Sequence, residues 1–249
     1  MKKYSFFNKI NYINNMIKYL IIFLLITRFL HAGAPPVDDK PLPVPPYTFE
    51  KVNKLSIAVK WDINSINKFL EKNFNYNQDY TGGITIFNSK EKNDFSPFSG
   101  SFAWIDGEDK DSPKHIIFST YGPNELIKKV MNKVYNVNTS LGSNKVTLIN
   151  NNASARTSIR KKNVVSLSAK MTDECNSVSG SFKILDNTKK EIRVNDYFTW
   201  KSKKVCVANS TSITTKGLYK GYKIKEVLWA KTYEDVTIIF NNPIKIANK

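Results

Sequence analysis

Side chains that commonly perform acid–base, nucleophilic or metal chemistry are sparse in this chain of 249 residues. It has two histidines, His31 and His115, and one histidine outside the N-terminal segment cannot build a His-rich metal site. The oxygen-rich run from Asp106 to Asp111 fits no calcium-loop spacing, so we expect a solvated hairpin tip there. There is no phosphate-binding loop or dinucleotide fingerprint, and we predict neither a metal nor an organic cofactor.

Two cysteines, Cys175 and Cys206, form the other candidate reactive pair. An even number of cysteines in an oxidising compartment favours a disulfide, and we predict one between them. The alternative is two separate buried thiols, because sequence spacing alone does not bring two sulfur atoms within bonding distance.

The N-terminal segment has the layout of a secretory signal peptide. Residues 1–17 are basic and contain no acidic side chain, residues 19–27 are apolar, and small residues follow at Ala32, Gly33 and Ala34. We therefore predict a signal peptide over residues 1–32 and an exported protein, periplasmic or secreted. An uncleaved signal anchor is the alternative, and it would provide the protein's only contact with a membrane.

The chain is strongly basic, with a formal net charge of +17. Five basic residues and no acidic ones fall in the predicted signal peptide, which leaves +12 for the remainder (17 − 5). The basic clusters at 160–162 and 201–204 have aromatic residues nearby, as in proteins that bind single-stranded nucleic acid. Solvated lysines at strand ends explain them more simply, and we predict no nucleic-acid partner.

Beyond the signal peptide, the pattern predicts a proline-rich extended arm at residues 33–47 and a single domain at residues 48–249. Asp62 is a candidate N-cap for one helix, and Pro123 with Glu125 opens a second. Predicted strands cover residues 55–60, 83–87, 101–105, 115–120, 145–149, 154–159, 164–171, 180–185, 204–207, 212–215, 224–230 and 236–240. Many short strands, few helices and no βαβ rhythm predict a mostly β, α+β fold: an antiparallel barrel or double sheet with packed helices.

Several short motifs occur in a fixed order along this pattern. Pro46-Tyr47-Thr48-Phe49 precedes the first strand and helix, Asn124-Glu125 follows a later strand, and Leu141-Gly142 lies in the next loop. The strands at 224–230 and 236–240 follow at the C-terminal end, with Asp235 before the second. Together these features resemble the acetoacetate decarboxylase family over nearly the whole chain after the arm. The resemblance implies that family's barrel or double-sheet fold.

The same resemblance implies a pocket whose catalytic groups are missing. The family uses a lysine that forms an imine with a ketone, and a second lysine beside it lowers its pKa. Thr139 and Ser140 occupy these two positions, and a hydroxyl cannot form an imine. Lys60 falls where the family has an arginine, and Gly100, in the segment that begins at Phe98, falls where it has a glutamate.

These replacements lead us to expect a degenerate active site that binds a small organic acid or ketone, with self-association left open. One alternative is a divergent lyase of the decarboxylase or aldolase type that uses Lys145, the nearest surviving amine. Another is a non-catalytic scaffold that acts through its basic surface or proline-rich arm.

Overall fold

The computed structural model describes residues 41–70, 75–91, 95–107, 115–188, 191–208, 214–216 and 221–242. The predicted signal peptide and most of the predicted arm lie outside these ranges. The strands are β1 Tyr47–Trp61, β2 Thr81–Ser89, β3 Ser99–Asp106, β4 His115–Gly122, β5 Thr139–Leu141, β6 Ser143–Ile149, β7 Asn152–Ile159, β8 Lys162–Thr188, β9 Glu191–Ala208, β10 Thr214–Lys216 and β11 Ile224–Phe240. The α-helices are α1 Ile63–Ile66 and α2 Glu125–Lys133. The prediction of a mostly β, α+β fold is confirmed.

These strands form one mixed sheet in the order β5-β4-β3-β2-β1-β11-β9-β8-β7-β6, with β10 paired to β8. Neighbouring strands are antiparallel except β4 and β5, which are parallel. The sheet curls so far that β4 also meets β8, but only at one parallel pairing between His115 and Ile184. It is therefore a curled double layer and not a fully closed barrel.

Two of the strands, β8 and β11, each join two strands that the sequence pattern predicts as separate. β8 pairs with β7 as far as Lys170 and with β9 from Met171 onward, so the predicted strands 164–171 and 180–185 are one strand that passes between two layers. The predicted strands 224–230 and 236–240 are likewise joined in β11. The charged residues between them form a bulge, in which Asp235 has a φ of 52°. The prediction of a break at these two places was wrong, because a polar run can remain paired when the ladder shifts its register there.

Alternation along β1 divides the interior into two parts. Leu55, Ile57 and Val59 are completely buried in a core shared with β7 and β8. Successive strand residues point to opposite faces, so Lys54 and Ser56 lie on the other side. The second face packs with α2 around a separate cluster that is rich in aromatic residues.

Both helices begin where the sequence indicates. The Asp62 side chain accepts a hydrogen bond from the backbone N–H of Asn64 at 3.0 Å, as predicted for an N-cap. Asn124, which follows Pro123, caps α2 by accepting from the backbone N–H of Ile127 at 2.9 Å. Each cap satisfies an amide that has no partner in the first helical turn. In α2, Ile127 and Val130 are buried in the aromatic cluster, so this helix closes one side of the second interior.

Candidate ligand-binding site

The second interior contains a cavity of about 480 Å³, lined by residues of β1 to β5, β8, β9, β11 and α2. Fourteen of its lining residues are aromatic. Phe49 and Phe98 stack with their ring centroids 3.5 Å apart, and Phe240 meets Phe98 edge-on at 6.0 Å. Such rings bury much apolar area in fixed orientations, so the wall is suited to a ligand with an apolar body.

Lys54 is the only cationic side chain among the described residues that line this cavity. It is 8% exposed. Its Nζ atom lies 3.6 Å from the ring centroid of Tyr233 and 4.5 Å from that of Trp200. Within the described part of the chain, the amine makes no hydrogen bond or ion pair. A buried amine without a carboxylate partner is costly to a fold, so it is a strong candidate for a functional group.

The surroundings of Lys54 favour its neutral form. Burial lowers the pKa of Lys54 to about 7, and the positive charge of Lys231 acts in the same direction. Lys231 lies on β11, which pairs with β1, and its Nζ atom is 4.8 Å from the ring centroid of Trp229. Near pH 7, therefore, both the ammonium and the free amine of Lys54 are present, and the free amine is nucleophilic. Burial also raises the pKa of the neighbouring Tyr233 hydroxyl to about 12, so that group stays protonated.

Buried hydroxyl groups supply most of the remaining polarity of the cavity. Ser56 and Thr85 are hydrogen-bonded to each other at 2.8 Å, and so are Thr157 and Ser101 at 2.8 Å. The hydroxyl of Thr120 is fully enclosed and has no hydrogen-bond partner among the described residues. These neutral groups offer orientation to a ligand but no charge, which leaves Lys54 as the main electrostatic feature of its region.

Three of the five pocket residues implied by the resemblance line the cavity: Phe98, Gly100 and Thr139. Thr139 is buried, and its hydroxyl donates to the backbone carbonyl of Val137 at 3.0 Å. Ser140 is exposed and does not line the cavity.

The two lysines named from the sequence lie elsewhere. Lys60 is half-buried at the end of β1, where it forms an ion pair with Glu226 at 3.3 Å, outside the cavity lining. Lys145 is exposed on β6, while the next residue, Val146, is buried. Alternation therefore directs the Lys145 amine away from the interior, and it does not line the cavity.

Sequence reasoning missed Lys54. The predicted strand started at Leu55, and the resemblance drew attention to Lys60 six positions further along. One signal was available: Lys54, Ser56 and Ala58 alternate with Leu55, Ile57 and Val59, which places the lysine on the same face as the small residues. A lysine that lies inside an alternating strand, and not at its end, is therefore a candidate for a buried residue on one face of the strand.

The acidic run begins at the edge of this cavity. Asp106 lines it and accepts a hydrogen bond from the Thr81 hydroxyl at 2.9 Å. Residues 108–114, which contain the rest of the run, lie outside the described residues. In the described ranges, no three histidine, cysteine, aspartate or glutamate side chains are grouped closely enough to hold a metal ion.

A disulfide joins Cys175 on β8 to Cys206 on β9, with an S–S distance of 2.02 Å. The two residues face each other directly in the antiparallel ladder, and their Cα atoms are 4.2 Å apart. The predicted bond is present. It fixes β8 to β9 close to the point where β8 leaves the smaller layer. None of the helices in the described ranges is long and apolar enough to cross a membrane.

Solved structures with this architecture include acetoacetate decarboxylases. One matches with a TM-score of 0.62 and 11% identity over 88% of this chain and 98% of its own. The acetoacetate decarboxylase of Legionella pneumophila matches with a TM-score of 0.63 and 10% identity over 87% of this chain and 93% of its own. The enduracididine biosynthesis enzyme MppR, complexed with pyruvate, matches with a TM-score of 0.54 and 12% identity over 83% of this chain and 92% of its own. No protein-family model and no curated protein matches the sequence. The chain has the acetoacetate decarboxylase fold, at an identity too low to transfer an activity.

Proposed function

We propose that this is an exported protein that binds a small organic acid or carbonyl compound in the aromatic cavity, without the family's lysine chemistry at Thr139 and Ser140. The observation that carries the proposal is the position of Lys54, a buried amine on the wall of a largely apolar cavity. A carboxylate placed beside it would gain a charge-assisted hydrogen bond in a region of low dielectric. The aromatic rings would bury the rest of the molecule.

The test is a comparison of two lysine substitutions on the same strand. Lys54→Met removes the cavity amine but keeps an unbranched apolar chain of similar length. We expect it to weaken the binding of acetate, butanoate and acetoacetate by about 10- to 100-fold, which is the usual worth of a hydrogen bond to a charged group. Lys60→Met is the matched control, because Lys60 lies outside the lining, and it should leave these affinities unchanged.

Isothermal titration calorimetry on the mature, disulfide-bonded protein provides the affinities. Failure of all three compounds to bind would overturn the proposal and would favour the scaffold alternative. Equal losses in the Lys54→Met and Lys60→Met variants would show that the cavity amine is not the anchor.

A second candidate function, an imine-forming lyase, is favoured by the same residue and not by Lys145. The lone pair of a neutral Lys54 amine could attack a ketone carbon, and a nitrogen proton would pass to the oxygen to give a carbinolamine. Loss of water from the carbinolamine would leave an imine. Lys231 on the adjacent strand would favour the neutral amine by like-charge repulsion. Borohydride added with acetoacetate would reduce such an imine to a stable secondary amine. Peptide mass spectrometry would then find the adduct on Lys54, and an unmodified Lys54 would exclude this candidate for that ketone.

Export is supported by the signal-like layout of residues 1–32 and by the disulfide, since such bonds persist mainly in oxidising compartments. N-terminal sequencing of protein from its own cells should begin near Gly33. A chain that retains Met1 and two free thiols in the cytoplasm would refute this part of the proposal.

A further inference from the structure

The cavity wall is built in layers that run away from Lys54. Strands β1 and β2 are paired without a register shift along this stretch, so each layer contains one residue of each strand. The first three pairs are Lys54 with Phe87, Ser56 with Thr85, and Ala58 with Gly83. In the fourth layer Thr81 lines the cavity, whereas its partner Lys60 lies outside the lining. The cation therefore lies at one end, and the two layers that follow have small side chains.

Large aromatic side chains flank these small layers. Phe102 and Trp104 on β3 pair with Thr85 and Gly83, and Trp229 on β11 pairs with Ala58. All three line the cavity. The Trp104 ring lies directly over Gly83, so the floor of the channel is formed by Ser56, Thr85 and Ala58. The channel follows the direction of the strands.

The charged side chain that lines the opposite end of the channel is acidic. Asp106, held by the Thr81 hydroxyl, lies at the level of the fourth layer. Its carboxylate would repel a second acidic group on a ligand whose first carboxylate lies beside Lys54.

The dimensions exceed those of a short keto acid. Phe87 lies six positions along β2 from Thr81, which corresponds to about 20 Å at the rise of a β-strand. A volume of about 480 Å³ falls within the range of pockets that hold drug-sized ligands.

We infer that the ligand is an elongated amphipathic monocarboxylate, with its carboxylate beside Lys54 and an unbranched apolar chain along Ser56 and Ala58 toward Asp106. This inference rests on the proposed function and adds the class of ligand to it. The charge gradient fixes the direction of the ligand, and the small floor between aromatic walls fixes its shape.

The test uses the wild-type protein and a ligand series in calorimetry: butanoate, octanoate, decanoate and decanedioate. Each buried methylene group should tighten binding about fourfold, so octanoate should bind on the order of 100-fold more tightly than butanoate. Decanedioate has the length of decanoate but places a second carboxylate near Asp106. We expect it to bind at least about tenfold more weakly than decanoate.

Ala58→Leu tests the position of the chain. The isobutyl side chain of leucine would occupy the channel two layers from Lys54, so octanoate should lose most of its advantage over butanoate. Butanoate, which needs only the region beside Lys54, should retain its affinity and thereby show that the variant is folded. If the variant does not fold, the wild-type series still decides the inference.

The possible results separate the two proposals. If none of the four acids binds, the proposed function fails together with this inference. If butanoate binds and affinity does not rise with chain length, or if decanedioate equals decanoate, the inference fails while the proposed function stands. Both proposals are supported if affinity rises steeply with chain length and decanedioate binds more weakly than decanoate. Ala58→Leu should then abolish the increase with chain length.

Discussion

Replacing Lys54 by methionine should stabilise the protein at neutral and acidic pH. The folded state lowers the pKa of Lys54 from 10.5 to about 7. Below pH 7 the amine is protonated in both the folded and the unfolded state. The full cost of burying the charge is then subtracted from the free energy of unfolding. Between pH 7 and 10.5 the unfolded chain binds the proton and the folded protein does not, so the stability of the wild type rises with pH.

The size of this effect follows from the pKa difference. From pH 6 to pH 9 the free energy of unfolding of the wild type should rise by at most about 3 kcal/mol, at about 1.4 kcal/mol for each pH unit above 7. The rings of Tyr233 and Trp200 favour the ammonium by up to about 2 kcal/mol and oppose this change. We therefore expect Lys54→Met to raise the free energy of unfolding by roughly 1 to 3 kcal/mol at pH 6, with the gain shrinking toward pH 9.

Urea unfolding under non-reducing conditions, followed by tryptophan fluorescence at pH 6, 7.5 and 9, measures this difference. Lys60→Met is the control, because its ion pair with Glu226 is partly exposed and contributes about 1 kcal/mol or less. Destabilisation by Lys54→Met at pH 6, or a difference that does not change with pH, would refute the reasoning that Lys54 is a buried and unpaired charge.

Three further outcomes are expected. Octanoate affinity should fall by up to about tenfold per pH unit above pH 7, because the Lys54 ammonium is lost there; calorimetry across pH 7–9 would detect a flat profile if the amine is not involved. Replacing Cys175 and Cys206 by alanine should lower the free energy of unfolding by about 3 to 4 kcal/mol for a separation of 31 residues, and equal urea midpoints would contradict this. Asn124→Ala should cost about 1 kcal/mol through loss of the α2 cap, measured by the same unfolding assay against Asn124→Ser, which should retain most of it.

The features predicted correctly from sequence depend on local patterns. Asp62 and the start of α2 are recognisable because capping is a property of a few neighbouring residues. The fold class follows from the number of alternating runs. The prediction of the disulfide required only an even number of cysteines and the prediction of export.

The features that sequence reasoning missed depend on partners far along the chain. Whether polar residues end a strand or form a bulge is decided by the neighbouring strand, as at Asp235, which remains within β11 opposite β1. The layers of the cavity depend on the register between β1 and β2, which no local pattern specifies. Lys54 becomes distinctive only when Tyr233 and Trp200, from two other strands, enclose its amine.

The alternation along β1 also bears on how a fold of this kind changes its specificity over evolutionary time. Leu55, Ile57 and Val59 form the core on one face, and Lys54 with its small neighbours forms the cavity wall on the other. Substitutions at the even-numbered positions can therefore alter recognition while the odd-numbered positions continue to hold the domain together. A strand that separates these two tasks by parity allows one architecture to exchange its chemistry with little risk to folding. Such a separation would permit identities as low as 10% between proteins that share this fold.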